Sequence, residues 1–289
     1  MGGLMSLICK LRDEYHQEIC KTLLGFRDGV PTNADRASKV SRDIARQIIE
    51  RFKLKKYNLC PLPPPEQTVG TLFEKITASF LEKAFQLLAH IRPGRWGFFV
   101  ASRTIDQFEQ YEHLSFLSQA IQQHPELATI LGSEYIIKPD ILIGRYPLED
   151  SEINAHQDLL EDNEVARYTP LRRQNRSRET LLLHASISCK WTIRSDRAQN
   201  IRAEALNLIR NRKGNTPHIV AVTAEPLPTR IASLALGTGE LDCVYHFALP
   251  ELVRAVDESR NESQKEMLDT LIKGHRLRDI SDLPFDLAV

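Results

Sequence analysis

The chain is short of three things: long hydrophobic runs, paired cysteines and an excess of either charge. In its 289 residues no stretch approaches the ~20 apolar residues that a membrane span requires. The opening MGGLMSLICKLRDEYHQ has no basic start followed by a sustained apolar run, so it does not read as a signal peptide. Cys9, Cys20, Cys60, Cys189 and Cys243 are scattered, odd in number and form no CxxC pair. That pattern argues against a zinc ribbon and for a reducing, cytosolic compartment. A nucleophile elbow G-x-S-x-G, a Walker loop and HExxH are all missing, which removes three common catalytic frameworks.

Charge balances overall, with 38 Lys and Arg against 38 Asp and Glu, whereas nucleic-acid binders are usually basic. Its distribution is uneven. Arg167 to Lys213 holds twelve basic residues against three acids, and Glu149 to Glu164 holds seven acids and no Lys or Arg. A positive face of that kind attracts DNA; a solvated charged loop beside a charged helix reads equally well.

Apolar residues at helical spacing predict helices over Ala37–Phe52, Phe73–Ile91, Phe108–Gln123, Ala198–Ile209, Leu252–Val256 and Met267–Ile272. Pro61-Leu62-Pro63-Pro64-Pro65 reads as an extended loop between the first two. Strands are expected over Tyr135–Ile143, Leu181–Ile193, His218–Ala224 and Cys243–Leu249, which are rich in β-branched and aromatic residues. Leu181–Ile193 alternates, with His184, Ser186, Ser188 and Lys190 on one side and Leu183, Ala185, Ile187 and Cys189 on the other. The expected architecture is α/β, a central mixed sheet flanked by helices, in a single domain over residues 1–289. Leu148–Glu179 would be a polar insertion between two core strands.

Three positions suggest chemistry. Asp140, in Lys138-Pro139-Asp140-Ile141-Leu142, sits in an apolar strand, where a carboxylate is costly to bury. Lys190 ends Ser188-Cys189-Lys190 on a strand whose other face is apolar, an unusual place for lysine unless it meets an anion. Glu204 follows fourteen residues later, on the next helix. Carboxylates suit Mg²⁺, which touches substrate phosphate, lowers the pKa of a bound water and offsets the charge built up in phosphodiester hydrolysis. Lysine adds a positive charge beside the scissile phosphate. A lone Pro-Asp pair, or a lone SxK step in a strand, is also a common structural pattern. Glu74 is ambiguous: Thr71-Leu72-Phe73-Glu74 fits a capping box with Thr71 as N-cap, and the pattern favours that role over metal binding.

From Ser188 through Arg197, SCKWTIRSDR, the chain resembles type II restriction endonucleases that cut around a CCGG core. The similarity continues through Leu206-Asn207-Leu208, Arg210–Gly214, Val222–Pro226, Leu236–Glu240 and Asp242–Phe247, and ends near Asp279–Pro284. The resemblance implies the PD-(D/E)xK restriction-endonuclease fold and Mg²⁺-dependent cutting of double-stranded DNA. It makes Asp140 the central metal ligand and Lys190 the catalytic lysine, with Ser188 and Cys189 completing the step and Cys189 at the metal. Ser188 stands where most such nucleases carry a second acid, and Glu204 would supply that acid from the helix. Glu74 would join the metal site. Arg194, Asp196 and Arg197 would read adjacent G·C pairs, arginine pairing with guanine and aspartate accepting from cytosine N4. A plain N-capped helix with local ion pairs is the other reading of that segment. Arg230 and Asp35 would read the outer G·C pair and Gln67 would approach the minor groove. The implied target is GCCGGC, cut after the first G to leave four-base 5′ overhangs, by a bacterial cytoplasmic homotetramer built as a dimer of dimers. Arg36-Ala37-Ser38 departs from the family pattern, in which the serine comes one position earlier. Two rivals stay open: a repair or junction-resolving nuclease of the same fold, and a DNA-binding protein with a vestigial site.

Overall fold

A computed structural model describes residues 5–124, 135–161, 165–173, 180–237 and 239–289, without the side chains of residues 195–197. In chain order the elements begin with helix α1 (Leu7–Thr22), the short strands β1 (Phe26–Arg27) and β2 (Val30–Pro31), α2 (Lys39–Leu54) and α3 (Glu66–Leu87). Strand β3 (Trp96–Val100), α4 (His113–Gln123), β4 (Ile141–Arg145), α5 (Asp150–Ile153) and β5 (Leu182–Lys190) follow. The chain continues through α6 (Ser195–Asn211), β6 (His218–Thr223), α7 (Pro228–Ala235) and β7 (Cys243–His246). It ends with α8 (Leu249–Ser259), α9 (Glu262–Lys273), β8 (Leu277–Asp279) and α10 (Leu283–Asp286).

Strands β3 to β8 form one mixed sheet in sequence order. The β3–β4 pair is antiparallel, whereas β6–β7 and β7–β8 are parallel. Parallel neighbours need a crossover, and α7 supplies it between β6 and β7. Sequence periodicity gave no helix there, because α7 has only eight residues and opens on Pro228. Except at its first residue, β6 is buried at every position rather than alternately, as expected of a parallel strand covered on both faces. β5 keeps its outer alternation, Leu183 and Ala185 buried and Leu182 and His184 half-buried, then becomes buried throughout from Ser186 to Cys189.

The chain divides into two compact units, the first comprising Met1–Arg92, Ile187–Leu206 and Ile219–Val289, the second Pro93–Ser186 and Asn207–His218. In the first, α1 packs on α3, α2 on α8 and α7 on α9. The reason is local. Ser38 caps α2 by accepting from the Ser41 amide at 3.2 Å, and Ile44, Ile48, Ile49 and Phe52 form a fully buried stripe behind it. Each such side chain contributes about 1.5–3 kcal/mol on burial.

Several boundaries differ from those expected. β4 starts at Ile141, six residues later than predicted, because Pro139 has no N–H for a ladder; Asp140 stands just ahead of the strand. The predicted Phe108–Gln123 helix begins only at His113. Phe108 is extended, bridges to Leu181 and is fully buried, so tertiary pairing overrides its helical spacing. α3 starts directly after Pro65 at Glu66, which corrects the capping box: Thr71 and Glu74 are interior helical positions and cap nothing. The β1–β2 hairpin turns on Asp28-Gly29, both at positive φ (52° and 74°), a pairing suited to a two-residue hairpin. Part of the polar insertion is anchored in the second unit by Arg172, whose buried guanidinium pairs with Asp150 on α5; residues 162–164 and 174–179 lie outside the described residues.

Candidate active site

Three elements of the first unit converge on a cavity of about 420 Å³. α3 presents Gln67, Gly70 and Glu74 to it, at the i, i+3, i+7 spacing of one helical face; Val69 also lines it, and Phe73 is buried beside it. The end of β5 contributes Cys189 and Lys190, and α6 contributes Asn200, Ile201 and Glu204, again one face. Glu74, Lys190 and Glu204 are half-buried, and Gln67 is exposed on the first turn of α3. Gly70 lies beside Glu74, whose Oε1 would be 3.9 Å from a Cβ at that position, an ordinary contact distance. Ser188 is buried one residue below Cys189 and does not line the space. Asp140 belongs to the second unit, half-buried, with its carbonyl accepting from the Ala101 amide at 2.9 Å.

An adjoining cavity of about 730 Å³ shares Arg27, Thr32, Ala34, Glu66, Thr192 and Arg194 with the first. It adds Asp35, Arg36, Arg202 and Arg230, so five arginines line it. Asp35 and Arg230, paired in the resemblance, form an ion pair here. The Ala37 amide donating to Asp35 Oδ1 at 2.9 Å, with Arg230 beside it, holds the Asp35 carboxyl below its ordinary pKa. Arg194 is exposed at the N-terminus of α6, where its carbonyl accepts from Ala198 at 3.0 Å. The predicted contacts of Asp196 and Arg197 lie outside the described side chains; their backbone forms the first turn of α6.

Three supporting residues escaped sequence reasoning. Trp191 donates its indole N–H to the Thr32 carbonyl at 2.9 Å and packs edge-on against Phe73, centroids 5.2 Å apart. Arg27 donates to the Pro64 carbonyl and pairs with Glu66 at 3.6 Å, tying the β1–β2 hairpin to the start of α3. Glu225 is buried, and its carboxylate accepts from Ile193 N at 2.8 Å and Leu227 N at 3.2 Å. Burial pushes its pKa up to about 7. The only hint in sequence was an acid directly after an apolar strand, a weak signal.

Glu74, Glu204 and Lys190 around one cavity, with Glu66 at its edge, are equipped for metal-assisted phosphodiester hydrolysis, and the arginine-lined neighbour for binding guanine edges and phosphates. The NgoMIV restriction enzyme family model matches residues 15–289. The chain belongs to the NgoMIV restriction enzyme family. It is 50% identical over 265 residues to the Type II restriction enzyme NgoMIV of Neisseria gonorrhoeae, covering 90% of this chain and 91% of that protein. Membership of the NgoMIV family makes the chain a type II restriction endonuclease, a site-specific deoxyribonuclease acting on double-stranded DNA. Type II restriction enzymes need divalent metal ions. Of the readings open on sequence, the family match favours this one over a repair nuclease or a vestigial binder. No helix among the described residues is long and apolar enough to cross a membrane.

Proposed function

We propose that this endonuclease recognises GCCGGC, cuts after the first G to leave four-base 5′ overhangs, and does so with Mg²⁺. The observation that carries this reading is the shared wall of the two cavities. Glu74, Lys190 and Glu204 line one, Asp35 and Arg230 line the other, and Arg194 faces both. The proposed base readers Asp35, Arg194 and Arg230 therefore stand on the same unit as Glu74, Lys190 and Glu204, around adjoining cavities.

Glu74 and Glu204 offer hard oxygen donors in one cavity, which fits Mg²⁺. Asp140 is the central ligand in this reading, and Cys189 contributes through its carbonyl, since a thiol is too soft a donor for Mg²⁺. When bound, the ion activates water and offsets charge on the phosphate oxygens. Lys190 places its ammonium beside the scissile phosphate and orients the attacking water, with buried Ser188 supporting the strand end. Arg194, Asp196 and Arg197 read the inner G·C pairs from the start of α6. Arg230 and Asp35 read the outer pair, and Gln67 reaches the minor groove. The enzyme works in the bacterial cytoplasm as a homotetramer, a dimer of dimers engaging two DNA copies.

The test is digestion of one-site and two-site GCCGGC plasmids with Mg²⁺, alongside Lys190→Ala. The expected result is discrete fragments ending at GCCGGC, absent with the variant, and faster cutting of the two-site plasmid. Discrete cuts at another sequence overturn the target; equal rates on both plasmids overturn the two-copy engagement.

A further inference from the structure

We infer that Glu225 is a positioning residue for base recognition, its carboxylate locking the segment that leads into the inner-base reader to the segment that leads into the outer-base reader. The inference rests on the assignment of Arg194 and Arg230 as readers. Ile193, whose amide donates to Glu225 Oε2 at 2.8 Å, immediately precedes Arg194. Leu227, whose amide donates to Oε1 at 3.2 Å, is the N-cap of α7, and its carbonyl accepts from the Arg230 amide at 2.9 Å. One side chain thus fixes two reading elements whose leading residues, Ile193 and Leu227, are far apart in the chain. Glu225 is itself fixed, its own amide donating to Thr223 Oγ1 at 3.1 Å at the end of β6.

The chemistry requires a carboxylate. Glu225 is 1% exposed, and burying a charge is costly unless it is hydrogen-bonded. Two amides converge on two separate oxygens. Glutamine, the same shape, has one acceptor oxygen and would turn an NH₂ toward one of the two donors. Alanine would leave both buried amides unsatisfied. Arg230 attracts the carboxylate and Asp35 repels it, so the charged groups facing Glu225 are the outer-base readers themselves. His246, fully buried, lies near the Glu225 backbone. Neutralising Glu225 therefore loosens one amide bond and alters the field at Arg230 together.

The experiment measures kcat/KM on duplexes bearing GCCGGC and on duplexes changed only at the outer pair, ACCGGT, for wild type and Glu225→Gln at several pH values. The expected result for the variant is about a tenfold loss in the ratio of the two, with cognate kcat changed less than the ratio. In wild type the ratio falls as pH drops from 8 to 6, while in Glu225→Gln it stays flat; taking the ratio cancels any general effect of pH on cleavage. A folded Glu225→Gln with the wild-type ratio overturns the inference, as does an equal loss of kcat on both duplexes. If the variant does not fold, the wild-type profile decides, and a ratio constant from pH 8 to 6 overturns it. Should fragment ends reveal a target other than GCCGGC, the ratio is taken against outer variants of that target. An error in the target assignment is then separated from an error about Glu225.

Discussion

Asp35 and Arg230 form an ion pair across 195 positions of sequence, with their side chains 28% and 32% exposed. Neither is locked away. Asp35 is fixed by an amide bond from Ala37, and its own amide donates to Ser41 Oγ at 2.9 Å, at the start of α2. Arg230 comes from the first turn of α7. An aspartate and an arginine held side by side form a unit able to meet a cytosine and a guanine that are themselves paired. Each of the two charges is already compensated by the other in this arrangement.

Separating the two gives the first prediction. Arg230→Ala leaves Asp35 without its ion-pair partner and removes the guanine contact proposed for Arg230. Cleavage of GCCGGC is expected to fall by an amount corresponding to about 1–3 kcal/mol, the range for one bidentate base contact. Sites altered at the outer pair should lose much less. Asp35→Asn should shift preference at the same base pair, since an amide can donate where a carboxylate only accepts. Steady-state rates on a panel of outer-pair duplexes check both; an equal loss across the panel would assign Arg230 to backbone contact instead.

The cavity lined by Glu74, Lys190 and Glu204, read as catalytic, predicts a split between binding and turnover. Lys190→Ala should abolish cutting while the affinity for cognate duplex, measured by gel shift, stays within a few-fold. Glu74→Gln and Glu204→Gln weaken the oxygen donor set, so each should raise the Mg²⁺ concentration needed for half-maximal rate. A Glu204→Gln enzyme with an unchanged Mg²⁺ dependence would remove Glu204 from the metal site.

Much of this cavity was legible in the sequence because chemistry and periodicity coincide there. An acid at Glu204, in register with Ile201 on an amphipathic helix, and a lysine ending an alternating strand stand out against their surroundings. The helix carrying Glu74 was recognised too, but its start was misplaced because Thr71-x-x-Glu74 mimics a cap, whereas the true boundary is set by Pro65. What stayed hidden depends on distance in space. The bond from Trp191 to Thr32 and the two amides on Glu225 join segments with no local signature. α7 and β8, eight and three residues long, are too short to show a period. Asp28-Gly29 was a readable hairpin signal that the flanking Phe26 and Val30, in strands of two residues each, did too little to support.

Trp191 links these regions, and its removal has a specific outcome. It follows Lys190, packs on Phe73 next to Glu74, and bonds to Thr32, three residues before Asp35. Trp191→Phe keeps an aromatic ring and loses the hydrogen bond, at a cost of about 1 kcal/mol. Cognate kcat is expected to fall several-fold and the Mg²⁺ requirement to rise, with affinity for DNA little changed. Trp96 and Trp191 are the two tryptophans of the chain, so Trp96→Phe leaves Trp191 as the sole tryptophan, which red-edge excitation selects over the tyrosines. Its emission should change on adding cognate duplex but not on adding an outer-pair variant. Identical changes with both duplexes would disconnect Trp191 from outer-base reading.

Stability should respond to pH through two buried histidines. His16 donates from Nε2 to the Phe247 carbonyl at 2.8 Å, and His246 Nδ1 accepts from the Ala248 amide at 3.1 Å. Both are fully buried, and burial lowers the pKa of each to about 4. The unfolded chain takes up a proton on each near pH 6.5 and the folded chain refuses it until about 4. Their contribution is therefore present above 6.5 and is lost as pH falls through that window. Glu225 opposes them. Burial raises its pKa from 4.5 to about 7, so the folded chain keeps a proton that the unfolded chain releases, and its contribution grows as pH drops from 7 to 4.5. Near pH 5.5 the histidines give an uptake of about two protons on unfolding and Glu225 a release of about one. A net uptake of about one proton corresponds to a loss of about 1.4 kcal/mol per pH unit. In Glu225→Gln the opposing release is gone, and the slope should roughly double. Urea midpoints at pH 7, 6 and 5 measure both slopes. A wild type that becomes more stable toward pH 5 would show that the histidines titrate normally, and parallel slopes would place Glu225 at its ordinary pKa.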